Sequence, residues 1–382
     1  MTTPQINAQR KAELLSKTVE HIDIKSFDAR PIIDAMGKMS FTSRDLARAT
    51  GIYNQMLEDP NCSIFLVIAG STSAGGCMDL YAELVRNNMV DGVVATGATI
   101  VDMDFFEGLG HKHYQALEVP DDDTLRSLYI DRIYDTYIDE EQLQDCDFTI
   151  NQIAESLEPK AYSSRAFIRE MGKFLSENGK KDNSLVKLAY EHDVPIFCPA
   201  FVDSSAGFGL VKHQVDRAKA GKPYMMIDAV ADFRELTDIK IKAGTTGLLM
   251  IGGGVPKNFI QDTVVCAEIL GHEDVEVHKY AVQINSGSGW TDLAAGLTAS
   301  NDTTSATEHI TLSSGLAAGA RGRACVRAGR GAAPRPPRPP RPHQPDGPAA
   351  RPHPRALLAP RHRRLRRADH PGEYPWLPGT VG

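Results

Sequence analysis

The sequence predicts an α/β fold: a mostly parallel sheet with helices on both faces, a helical N-terminal extension and a disordered basic tail. Three observations carry that expectation. Short apolar runs alternate with amphipathic stretches through the body of the chain, the pattern of a parallel sheet buried on both faces. Several apolar runs end in glycine or small polar residues, in "GSTSAGG", "TGAT", "VDSSAG", "IGGG" and "INSGSG". Beyond residue 320 the composition shifts abruptly to Pro, Arg, Ala and Gly.

Taken in order, residues 43–60 (SRDLARATGIYNQMLEDP) read as an amphipathic helix with Ser43 as its N-cap. CSIFLVIAG (62–70) is a buried strand, a helix is expected over 74–89, and a strand with a glycine turn follows over 90–99. Residues 124–145 are acidic and aromatic-rich and read as a helical insertion or interface element. Further strands are expected within 194–207, 222–229, 246–254 and 277–285, with helices over 164–179, 228–244 and 256–271. In such sheets ligands bind beyond the carboxyl ends of the strands. The glycine-rich segments sit at those ends.

Hydrophobic residues make up 42% of the chain and charged residues 24%, an ordinary soluble balance. No apolar run reaches membrane-spanning length, and the first 27 residues have no apolar core. The six cysteines are scattered without a CxxC and read as buried thiols, so a reducing, cytoplasmic setting is expected. His111 and His113 have no third ligand in view, and no metal is expected. The net charge of −7 divides unevenly. Residues 321–382 hold 14 arginines against three acids, a balance of +11, which leaves −18 for the rest. An acidic body suits cationic small molecules better than nucleic acid, or serves solubility alone. The division expected is a body over 1–320 and a tail over 321–382. That tail is either a disordered basic segment or the product of GC-rich DNA read in another frame.

Each glycine-rich turn could bring backbone N–H groups to a phosphate, although "IGGGVPKNF" (251–259) is neither GxGxxG nor a Walker sequence. Asp102 and Asp203 each follow an apolar run. A carboxylate there could bind a ribose hydroxyl or an ammonium, or could simply cap a helix or turn. Lys257 could meet a phosphate or lie on a helix surface, and His278 reads as structural.

Longer stretches carry a resemblance. "LVRNNMVDGVVATGATIVDMDFFEGLGHKHY", "VPIFCPAFVDSSAGFGLV", "DFRELTDIKIKAGTTGLLMIGGGVPKNF" and "HKYAVQI" are similar to deoxyhypusine synthases, above all to the bacterial deoxyhypusine synthase-like branch. The resemblance covers roughly residues 20–284. It implies a Rossmann-like sheet binding NAD through Gly70, Ser71, Thr72, Ser73, Ala74, Thr96, Gly97, Ala98, Asp102, Asp203 and Gly253, with Ser286 and Gly287 on a further turn. It implies that Val101, Asp102 and Asn258 face spermidine or a related polyamine. It also implies a homotetramer with sites at a dimer interface. The implied chemistry oxidises spermidine with NAD, passes the aminobutyl unit through an enzyme lysine to an acceptor amine, and reduces the new imine. The acceptor could be a protein lysine or a free diamine.

Departures from the family pattern bear on that chemistry. Phe208 stands where eukaryotic members have a spermidine-binding Asp, and Asn258 where they have a substrate-contacting His. After Ile284 the family's SWGK motif, which carries the catalytic lysine, is missing, and no lysine follows Lys279. No catalytic residue is therefore assigned. The expectation is an impaired transferase, with two alternatives: a non-catalytic NAD- or polyamine-binding subunit, or an NAD-dependent polyamine oxidoreductase.

Overall fold

The computed structural model describes residues 3–285 and 306–311. The expected tail and its boundary at 320/321 lie outside those residues, as do Ser286 and Gly287. The chain opens with α1 (Thr3–Leu14), an extended strap, α2 (Arg30–Met36) and α3 (Phe41–Glu58). Strand β1 (Ser63–Ile68), helix α4 (Met78–Arg86) and strand β2 (Gly92–Ala95) make the first crossover. A π-helical stretch (Ala98–Phe105) then runs into the single turn α5 (Phe106–Gly108). Next come β3 (His113–Gln115), α6 (Asp122–Ser127), β4 (Ile130–Ile133), β5 (Thr136–Asp139), α7 (Glu140–Ser156), β6 (Ala161–Tyr162), α8 (Ser164–Asn178) and α9 (Leu185–Glu191). β7 (Ile196–Phe197), α10 (Ser205–Lys219), β8 (Met226–Ile227), α11 (Ala229–Ala243) and β9 (Thr246–Ile251) follow. The described chain ends with α12 (Gly254–Gln261), α13 (Thr263–Ile269), β10 (Tyr280–Asn285) and β11 (Ala306–Thr311).

Among the described residues six strands form the central sheet in the order β11-β10-β9-β1-β2-β7, and every pair is parallel. β1 is buried along its whole length and its side chains alternate between two cores. Ile64, Leu66 and Ile68 join Ile52 and Met56 of α3 and Tyr81 and Val85 of α4. Phe65 and Val67 join Leu236 of α11 and Ile260 of α12. Helices therefore cover both faces, as the uninterrupted apolar runs predicted. Each such side chain contributes about 1.5–3 kcal/mol on leaving water.

The structure corrects four local expectations. Residues 124–145 are not one helix: they hold the end of α6, the hairpin β4–β5 and the start of α7. The hairpin pairs with β3 in a separate antiparallel sheet. Its β-branched and aromatic residues favour strands, and Tyr134 takes the left-handed conformation (φ 60°) at the turn. Ser43 is not an N-cap, because the helix begins two residues earlier, with Ser40 extended at the cap position. The strand expected within 222–229 shrinks to β8, which pairs with β6 away from the central sheet. The strand within 194–207 shrinks to β7, since Pro199 has no N–H with which to continue a ladder.

Buried carboxylates tie the layers together. Asp104, from the π-helical stretch, accepts hydrogen bonds from Ser184 Oγ and from the backbone N–H groups of Leu185 and Val186, capping α9. Asp232 of α11 likewise accepts from Ser164 N and Arg165 N at the start of α8. Glu107 gathers His113 Nδ1 at 2.7 Å, His21 Nε2 at 2.7 Å and Lys181 Nζ at 2.6 Å. Burial works against its ionisation, but the bonds from His113 and His21 and the Lys181 charge outweigh it and hold the carboxyl well below its usual range. This cluster pins the strap after α1 against β3, where Val19 N also donates to His113 O at 2.8 Å.

At the opposite, N-terminal end of β9 lies a buried cation. Lys240 Nζ donates to Gly244 O at 2.8 Å, and burial pushes its pKa down to about 8 against the opposing influence of Glu276 and Cys62. His278 beside it bonds Thr246 Oγ1 and Ile260 O. Burial, followed by the Lys240 charge, pushes His278 down to about 3, which fits its structural reading. Because the folded pKa of Lys240 lies below its unfolded value, the unfolded chain binds the extra proton between about pH 8 and 10.5. This group's contribution to stability therefore rises with pH across that window. In Lys240→Met the rise should flatten when urea midpoints are compared at about pH 7.5 and 9.5; an unchanged pH slope would show that Lys240 titrates normally.

Candidate functional site

The chain leaves β1 toward β2 on one side and returns as β9 on the other, so the strand order reverses at β1. A crevice at the carboxyl ends of β1 and β9 follows from that topology. In the turn after β9, Gly252 has no room for a side chain, and Gly252 and Gly254 both take left-handed conformations. Gly252 has φ +84°, and a Cβ on it would stand 2.5 Å from Ala69 O. Gly252 N also donates to Ile284 O at 2.8 Å, which closes the turn against β10. Gly253 occupies the N-cap position of α12 and Gly254 begins the helix with φ +64°.

The expected contact residues converge. Thr99 Oγ1 donates to Gly70 O at 3.2 Å, so the turn after β2 touches the turn after β1. Thr96 and Thr99 hydroxyls are 3.0 Å apart at the head of the π-helical stretch. Ser73 Oγ lies 2.8 Å from Met103 Sδ, and Ala74 packs against Met103 with Ala98 alongside. Ser71 O accepts from Gly75 N at 3.1 Å, and the exposed Thr72 bonds the Tyr81 hydroxyl at 2.6 Å. A Cβ on Gly97 would stand 2.7 Å from Ser204, so this turn also meets the segment after β7. Asp203, in that segment, is exposed, and its backbone N–H donates to Ala200 O at 3.0 Å. Four residues differ from their expected placement: Ser73, Ala74 and Val101 are fully buried and can only back the site, and Lys257 is buried within α12 rather than lying on its surface. Asn258 is half-buried on the same helix.

Asp102 is half-buried, and its Oδ1 accepts the backbone N–H of Ser205, the first residue of α10, at 2.7 Å. Burial pushes its pKa up to about 6 against the Ser205 bonds, and the nearby Asp147 and Asp203 charges push the same way. Asp147 on α7 is also raised by burial, with the nearby Ser205 pulling the other way; its Oδ1 is buried without a hydrogen-bond partner. No basic side chain among the described residues offsets this acidic group. Sequence reading missed Asp147, because nothing in "LQDCDFTI" links it to strands more than 40 residues away. Gln283 was missed too: it is buried in β10, and its Nε2 donates to Gly252 O at 2.9 Å.

These features fit a dinucleotide. Gly70, at φ +87°, and Gly254 have open space where a Cβ would project, and the N-terminus of α12 favours an anion. The carboxylates at the ends of β2 and β7 suit an ammonium beside it. Among the described residues no group of three or more His, Cys, Asp or Glu could hold a metal ion, and no helix is long and apolar enough to cross a membrane.

The turn makes separable demands at two glycines. Gly252→Ala meets both a backbone clash and a left-handed φ and should cost about 3 kcal/mol, while Gly254→Ala meets only the φ and should cost about 1 kcal/mol. Equal losses in urea unfolding would show that the close approach to Ala69 does not constrain the turn.

The family profile described as deoxyhypusine synthase matches residues 31–306. The chain is 69% identical over 285 residues to a deoxyhypusine synthase-like protein of Caulobacter vibrioides, covering 74% of this chain and 77% of that protein. It is 70% identical over 275 residues to the protein of the same description from Coxiella burnetii, covering 72% and 77%. A crystal structure of a deoxyhypusine synthase candidate from Entamoeba histolytica shares the fold with a TM-score of 0.51 and 20% identity, over 78% of this chain and 93% of that one. With the family profile spanning most of the chain and relatives this similar, the chain belongs to the deoxyhypusine synthase family.

Proposed function

We propose that this chain binds NAD and spermidine, or a related polyamine, as an aminobutyl transferase of the deoxyhypusine synthase type whose transfer step is impaired in the chain as it stands. The observation that carries this reading is the meeting of glycine-rich turns from β1, β2 and β9 with the unpaired acidic group of Asp102, Asp147 and Asp203. NAD, when bound, supplies a hydride acceptor. The residues that would hold it are Gly70, Ser71, Thr72, Thr96, Gly97, Ala98, Asp203 and Gly253, with Ser73 and Ala74 packed behind them. Asp102 and Asp147 would hold the polyamine, with Val101 behind them and Asn258 across the crevice. A carboxyl that burial pushes up to about 6 is poised to take the proton an ammonium must give up before its carbon can be oxidised. The amine acceptor is either a protein lysine or a free diamine.

The impairment rests on the sequence: no lysine follows Lys279, so the family's covalent carrier is missing. The same observation favours a second reading, a non-catalytic subunit that binds NAD and polyamine. Incubation of the full chain with NAD and isotope-labelled spermidine separates the possibilities. We expect saturable binding of both and no labelled butylamine on the protein by mass spectrometry. A labelled adduct would overturn the impairment, steady accumulation of NADH would mark a polyamine oxidoreductase, and absence of binding would overturn the reading as a whole. Asp147→Asn should weaken spermidine binding about tenfold and leave NAD binding unchanged, as expected for loss of one charged contact.

We further infer a homotetramer in a cytoplasmic setting, with sites near a subunit interface. An apolar stripe beside the acidic group supports the interface: Phe208 is 70% exposed and Val211 64%, with Val215 and Phe148 alongside. Contiguous apolar surface of this kind marks association. Buried free thiols at Cys62, Cys146 and Cys198 support the reducing setting. Light scattering should show a tetramer, and Phe208→Glu with Val211→Glu should dissociate it; a monomer before substitution would sink this inference.

A further inference from the structure

Gln283 carries a signal that the assignments above do not use. Its side chain is only 3% exposed, on the face of β10 where Met250 is its neighbour in β9. Its Nε2 donates to the carbonyl of Gly252, the first of the three glycines, at 2.9 Å. Its Oε1 is closed off from solvent and has no donor among the described residues. Rotating the amide would set Oε1 against the Gly252 carbonyl and strand Nε2 instead, so hydrogen bonding fixes the orientation. Nearby backbone donors are already engaged: Gly252 N with Ile284 O and Ala69 N with Ile251 O, both at 2.8 Å. A buried acceptor left this way is costly, and it lies directly beneath the turn that opens onto the crevice.

We propose that Gln283 is a ligand-reading residue of the site: Oε1 accepts a hydrogen bond from an uncharged N–H or O–H of the bound dinucleotide, while Nε2 holds the Gly252 turn. This rests on the reading of the crevice as a dinucleotide site. The choice of ligand follows from the layout of charge. The carboxylates that would draw an ammonium stand beyond β1, at the ends of β2 and β7, whereas Gln283 shares its side of the sheet with the N-terminus of α12. A neutral amide oxygen beside a helix N-terminus suits a neutral donor on an anionic ligand. One side chain then couples the ligand to the triple-glycine turn, so binding tightens the turn that shapes the site.

Gln283→Met, close in size, tests this in the full chain. Met removes the unsatisfied Oε1 but also the Nε2 donor of the Gly252 carbonyl, so the two effects offset and the ligand-free unfolding temperature should stay close to that of the unsubstituted protein. Its affinity for NAD by titration calorimetry should fall about tenfold, and its thermal shift on adding NAD should shrink, with spermidine binding unchanged. Lower ligand-free stability with unchanged NAD affinity would reduce Gln283 to a structural strut and overturn the proposal. In the unsubstituted chain the 15N-labelled Gln283 side-chain resonance should move with NAD and stay in place with spermidine. Movement with spermidine alone would also overturn the proposal. If the unsubstituted chain binds no NAD at all, the dinucleotide reading of the crevice falls with it; if both forms bind NAD equally, only the role of Gln283 falls.

Discussion

The pairing of β1 with β9 on one edge and β2 on the other is the constraint from which the rest of this structure follows. Both pairings are parallel and in continuous register, from Ser63 opposite Thr246 to Ile68 opposite Ile251, and from Phe65 opposite Gly92 to Ile68 opposite Ala95. All three strands therefore end at one level. Their following turns have to share a small volume, and glycine is the residue that lets them do so. The clash that a side chain at Gly252 would make with Ala69 O measures how closely the turns meet.

Carboxylates play two opposite parts around this frame. Asp104, Asp232 and Glu107 are buried, but each is met by several donors, so their charge serves to fix one element against another. Asp102 has the Ser205 backbone N–H, and neither Asp102 nor Asp147 has a cation among the described residues. The contrast separates acids met by several donors from acids that burial pushes toward the neutral form, although all of them look alike in sequence.

The same logic locates the limits of the chemistry. Lys240 has the depressed pKa that an amine nucleophile needs, but it is buried against Gly244 at the amino end of β9, the far side of the sheet from the crevice. Lys257 is enclosed in α12.

The layers were legible in the order of residues. Strands buried on both faces must be apolar throughout, and their covering helices must be amphipathic, so the α/β class, the glycine turns at the strand ends and the family resemblance were all legible in the order of residues. Local signals failed where two structures fit the same letters. The aromatic, acidic run around Tyr134 became a hairpin because β3 was available to pair with it. The run after Pro195 gave only a two-residue strand. Which polar residues come together at the strand ends followed from packing and register. Asp147 reaches Ser205 because α7 packs along α10, and Gln283 reaches Gly252 because β10 lies beside β9. Such contacts join residues tens of positions apart, and they are set by packing and register, which leave no mark in the spacing of a motif.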